Sequence, residues 1–157
     1  MRQEDQAAKL WKCFIEDEGN VVMLDENMLE KIVHKASMCM SEMDWMEFRF
    51  RIYCKNKSTK ALSSCRELIE YSENIFNAND YVLELLNVYC CLCEEHGQYH
   101  NAIIGYQKSI QKVQSLRIDS RSNLFLEDLP IQQLEKLKAL YEGKARCLAI
   151  VGANGKL

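Results

Sequence analysis

Proline occurs once in the 157 residues, at Pro130, and glycine only six times. With so few breakers there is little to punctuate a strand-rich fold or to build a flexible linker, so long helices are favoured. Long apolar runs are also missing: none approaches the roughly 20 residues that a membrane-spanning helix requires. The charged opening Met1-Arg2-Gln3-Glu4-Asp5 and the interruptions at Lys9 and Lys12 predict that no secretory signal is present, which points to the cytoplasm or nucleus. A strong excess of one charge is lacking too. The formal net charge is −3, whereas a general nucleic-acid binder needs a marked basic excess.

Cysteine is not scarce. Eight residues, at 13, 39, 54, 65, 90, 91, 93 and 147, would suit a disulfide framework in a secreted chain. Such frameworks go with a secretory signal and Gly/Pro-rich loops; here the cysteines fall inside helical patterns, where a reduced thiol acts as a small hydrophobe. A chain of this length suits one domain spanning 1–157, burying about 68–70% of the surface its unfolded form exposes.

Apolar residues recur three or four apart almost from end to end, as one face of a helix requires. The spacing predicts helices over about 3–16, 26–40, 43–55, 59–76, 81–95, 98–117 and from Pro130 to about 151. Asp17-Glu18-Gly19-Asn20 and Asn77-Ala78-Asn79-Asp80 separate them as turn-forming clusters. Gly97 marks a tight turn, and Pro130 suits a helix's first turn. In the last helix Leu134, Leu137, Tyr141, Leu148 and Val151 are expected to face inward. The fold class is therefore all-α, with about seven helices.

Superposing the two clearest helix pairs shows Ala61, Cys65, Leu68 and Ile69 recurring as Ala102, Tyr106, Ser109 and Ile110, a shift of 41 residues that also carries Trp45 to Leu86. The second pair, Leu86-x-x-Tyr89-Cys90-x-x-Cys93-x-x-x-Gly97-Gln98-Tyr99-x-x-Ala102-Ile103-x-x-Tyr106-x-x-Ser109-Ile110, resembles the tetratricopeptide repeat family, of the longer-period type with about 40 residues. Small residues at Gly97, Ala102 and Ser109 stand where paired helices touch, and Tyr99 and Tyr106 fill the gaps. The resemblance covers 83–116 well and 42–75 more loosely, with Asn56 where the turn glycine would stand and Gln114 where a proline usually closes the second helix. Residues 1–41 and 124–151 then supply flanking helices. It implies antiparallel helix pairs stacked as a short solenoid. A helical bundle of another lineage satisfies the same periodicity.

Cys90, Cys93, His96 and His100 have short ligand-like spacings, but only two residues separate the Cys pair from the His pair, too few for four ligands to converge. No metal, cofactor or catalytic residue is expected. The tail Gly152 to Leu157 imitates a phosphate loop, yet Ile150 stands in place of its first glycine and no Ser or Thr follows Lys156. Arg49, Arg51, Lys55, Lys57, Lys60 and Arg66 form a run of bases without an acid, which would steer an acidic partner or serve as a solvated face. Trp11 and Trp45 are either anchors or core.

The family resemblance implies a non-enzymatic adaptor that receives a helix or extended segment of a protein partner in a groove. Met46, Phe50, Tyr81, Glu84 and Asn87 are its candidate contacts, and Arg49, Arg51, Lys55, Lys57 and Lys60 a candidate basic patch. Met46, Phe50 and Val88 stand where chaperone-clamping relatives have Lys and Asn, so an apolar or amphipathic partner is expected. No small-molecule substrate, membrane or nucleic acid is expected. The alternative is a structural subunit docked through an end face of the stack, which would self-associate when isolated.

Overall fold

The computed structural model describes Gln6, Lys9 and Leu10 and residues 24–75, 79–119 and 131–155. The expected helix over 3–16, including Trp11 and Cys13, lies largely outside the described residues, and so do Phe76 and Pro130. Six helices are defined: α1 (Glu26–Ser37), α2 (Glu42–Lys55), α3 (Ala61–Ile75), α4 (Asn79–Glu95), α5 (Tyr99–Asp119) and α6 (Ile131–Gly155). Among the described residues there is no strand, and no helix is long and apolar enough to cross a membrane. The chain divides into two compact units, residues 1–75 and 76–157.

In the first unit α1 packs on α2 and α2 on α3. Asp25 caps α1 by accepting from the Met28 amide at 2.8 Å, and Ser41 caps α2 by accepting from the Asp44 amide. Each satisfies a backbone donor that the first turn leaves open. Leu29, Val33 and Ala36 form the buried stripe of α1. Trp45 belongs to this packing: its indole N–H donates to the Val33 carbonyl at 2.8 Å, and the Arg49 guanidinium lies 4.5 Å above its ring. Tyr53 and Lys60 both donate to Glu30, tying α1 to α2 and to the turn before α3.

In the second unit α5 is the central helix, packed against α4 on one side and α6 on the other. Two glycines permit this close approach. A Cβ on Gly105 would stand 2.7 Å from the Cys90 sulfur, and one on Gly143 would stand 2.5–2.8 Å from the ring end of Tyr106. Val82, Leu86, Cys90 and Cys93 of α4, Ala102, Tyr106 and Ile110 of α5, and Leu137, Leu140 and Cys147 of α6 are buried.

The repeat reappears as burial. Ala61, Leu62, Ser64, Cys65, Leu68, Ile69 and Ser72 of α3 are buried, and 41 positions on Ala102, Gly105, Tyr106, Ser109, Ile110 and Val113 of α5 are buried too, with Ile103 half-buried. The first helices follow a different offset. Burial alone does not fix it, since Met46, Phe50 and Tyr53 match the buried Leu86, Cys90 and Cys93 at 40 while Phe48 and Ile52 match the buried Tyr89 and Cys93 at 41; the turn bonds decide for 40. Ser58 N–H to Tyr53 carbonyl, and Lys57 N–H to Cys54 carbonyl, recur as Gln98 to Cys93 and Gly97 to Glu94. The first pair enters its second helix one residue sooner. Lys57, not Asn56, therefore holds the turn-glycine position, and its φ of 51° answers the 72° of Gly97.

In α6 the inward face differs from the expected one. Leu137 and Val151 are buried, but Tyr141 and Leu148 are 48% and 45% exposed. Leu140, Gly143 and Cys147 take the inner positions.

Candidate functional site

The second unit carries a groove of about 480 Å³, within the range of ligand clefts. Its α4 wall presents Asp80, Leu83, Glu84, Asn87 and Cys91, spaced three and four apart along one helix edge. The α6 wall presents Lys136, Ala139 and Leu140, and Tyr106 and Val113 of α5 form the floor. Apolar surface thus lies at the bottom, with charge at the rim.

Beyond Tyr106 on the groove floor, a polar cluster joins all three helices. Glu94 of α4 accepts from the Tyr106 hydroxyl of α5 at 2.7 Å, from the Arg146 guanidinium of α6 at 2.9 and 3.1 Å, and from the Cys147 thiol at 3.2 Å. Burial works to raise the Glu94 pKa, but the hydrogen bonds from Arg146, Tyr106 and Cys147 outweigh it and hold the carboxyl below its ordinary value. Burial, aided by the bond to Glu94, pushes the Cys147 thiol up to about 11, and burial raises Cys90 further. Both shifts run opposite to the lowering that activates a nucleophilic cysteine.

The candidate contact residues separate. Glu84 and Asn87 line the groove, and Tyr81 stands half-buried on the same helix. Met46 and Phe50 are instead core residues of the first unit, 8% and 7% exposed, so neither is offered to a partner. The cause is the register slip described above. A uniform shift of 41 equates Met46 with Asn87, whereas the observed offset of 40 equates it with the buried Leu86; one residue along a helix is a rotation of about 100°.

The basic patch is partly consumed within the first unit. Arg49, with only 16% of its side chain exposed, pairs with Glu67, and Lys60 pairs with Glu30. Both bases share a small notch with Tyr53, Ser63 and Ser64. The bond from Lys60, then that from Tyr53, lowers the Glu30 pKa. Arg51, Lys55 and Lys57 are exposed. Cys90 and Cys93 face inward while His96 and His100 are exposed, and among the described residues no group of His, Cys, Asp or Glu could hold a metal ion.

Lys136, Ala139 and Leu140 escaped the sequence reading. Pairing them with α4 requires knowing which side of α6 packs on α5, and that is decided by Gly143, a residue with no hydrophobic signal. Comparison of the chain with protein-family models, with curated proteins and with solved structures finds no match.

Proposed function

We propose that the chain is a non-enzymatic protein-binding module of tetratricopeptide-like helix pairs, and that a partner segment lies in the groove between α4 and α6. The observation that carries this reading is the groove itself: an apolar floor with Glu84, Asn87 and Lys136 at its rim. Apolar anchoring with polar orientation at the edge is how helical grooves hold peptides. The neighbouring Glu94, Tyr106 and Cys147 are engaged in joining the helices, and the raised thiols do not suit a catalytic role.

Selection of short random peptides displayed on phage, using the full chain as bait, tests the reading. Peptides should be recovered whose binding falls by roughly ten-fold or more in Ala139→Trp, which fills an exposed position on the groove wall. Recovered peptides that ignore this substitution would refute the groove as the site.

A second reading is favoured by Tyr141 and Leu148. Seven residues apart on α6, they share one face and remain about half exposed. In this reading the chain is a structural subunit docked through that face. Size-exclusion chromatography across concentration separates the two, because an uncovered end face self-associates whereas a groove binder elutes as a monomer throughout.

A further inference from the structure

Helices α4 and α6 both pack on α5, and Glu94 and Arg146, 52 residues apart in sequence, bridge them beyond the groove. Ten residues towards the N-termini, about 15 Å along and roughly 80° around each helix from that pair, stand Glu84 and Lys136. Both line the groove, one on each wall. Both are exposed, and no ion pair joins them, nor does either pair with another described residue. Between them lie Leu83, Ala139 and Leu140. The helices are thus joined by a charge pair near their C-terminal ends and carry, among the described residues, an unmade pair of the same polarity on the groove walls.

We infer that the groove takes a polypeptide segment carrying an apolar side chain flanked by a base and a carboxylate, the base meeting Glu84 with Asp80 nearby and the carboxylate meeting Lys136. This deepens the proposed binding function and rests on it. Charge complementarity selects such a segment over a purely acidic one, which Asp80 and Glu84 repel, and over a purely basic one, which Lys136 repels. The apolar side chain lies over Leu83 and Leu140, where removing it from water gives a drive that the exposed ion pairs alone lack.

The test uses peptides selected by display against the full chain, measured by fluorescence polarisation against wild type, Glu84→Lys, Lys136→Glu and Ala139→Trp. All three positions are exposed, so the fold should survive each change, and circular dichroism checks that it does. The selected peptides should combine a base, an apolar residue and a carboxylate. Each charge reversal should weaken them about five-fold at low salt, and less as salt is raised. Peptides blocked by Ala139→Trp but indifferent to both reversals would overturn the charge inference while leaving the groove reading intact. If no selected peptide responds to Ala139→Trp, both fail.

Discussion

Glu94 on α4 accepts two hydrogen bonds from one guanidinium nitrogen of Arg146 on α6, at 2.9 and 3.1 Å, and the neighbouring Nε reaches its second oxygen at 3.3 Å. The same carboxylate also takes the Tyr106 hydroxyl and the Cys147 thiol. It therefore ties all three helices of the second unit together, and the Tyr106 hydroxyl, which also accepts from Arg146 at 3.5 Å, does the same.

Replacing Glu94 by Ala removes the acceptor for a half-buried hydroxyl and a buried thiol, and should cost about 1–3 kcal/mol. Arg146→Ala should cost only about 0–1 kcal/mol, because the Arg146 side chain is 55% exposed and water replaces the partner. The pH dependence follows from the lowered Glu94 pKa. Its stabilisation is fully present above the unfolded carboxylate value, ~4.3, and is lost as pH falls through the lower folded value. Urea denaturation at neutral and acid pH should show wild type losing more stability on acidification than Glu94→Gln. Equal losses would detach Glu94 from the acid response.

Gly143 and Gly152 lie on the same helix and should respond oppositely to alanine. A Cβ at Gly143 meets the Tyr106 ring at 2.5–2.8 Å, and the ring cannot retreat without straining its bond to Glu94. Gly143→Ala should destabilise by about 1–3 kcal/mol. Gly152 has nothing within 4 Å of the added carbon, so Gly152→Ala should stabilise by up to about 1 kcal/mol through helix propensity. Thermal melts of the two variants give the signs directly.

The two turns make a matched pair. Lys57 adopts a positive φ that suits glycine, at the position Gly97 fills in the second unit. Lys57→Gly should raise stability by about 1 kcal/mol and Gly97→Ala should lower it by a similar amount. A Lys57→Gly variant that melts no later than wild type would contradict the left-handed assignment.

Ser72 is fully buried, and its hydroxyl has no hydrogen-bond partner among the described residues. The position answers Val113 in the repeat, where the residue is apolar. Ser72→Ala should therefore be neutral or stabilising by about 1 kcal/mol, since it removes a dehydrated polar group at little loss of volume. Chemical denaturation checks this, and a clear loss of stability would point to a bond the hydroxyl makes.

The six helices defined among the described residues were legible in the sequence, and so was most of the burial of α3 and α5, because small residues such as Ala61 and Ala102 recur among large ones at helical spacing; Gly97, expected at a helix contact, is exposed, and Tyr99 is only half-buried. Two features were not. The 40-residue offset of the first helices was hidden because Trp45 and Leu86 make a plausible apolar match at 41, and only the turn bonds of Ser58 and Gln98 reveal the slip. The inward face of α6 was hidden because Leu134, Leu137, Leu140, Tyr141, Leu148 and Val151 form one apolar arc of roughly 120°, whereas the buried face is centred nearer its edge, towards Gly143 and Cys147. Packing selects among them through Gly143 and Cys147, which allow α6 to approach Tyr106 and Glu94. Of the site, Glu84 and Asn87 were reached from α4 alone, while its α6 wall depended on that choice.

The most direct measurement is a ¹H–¹⁵N NMR titration of the full chain with a display-selected peptide. Shift changes should concentrate at Leu83, Glu84, Asn87, Lys136, Ala139 and Leu140, on the two walls of the groove. Changes centred instead on Tyr141 and Leu148, with the groove residues unmoved, would contradict it and favour docking through the outer face of α6.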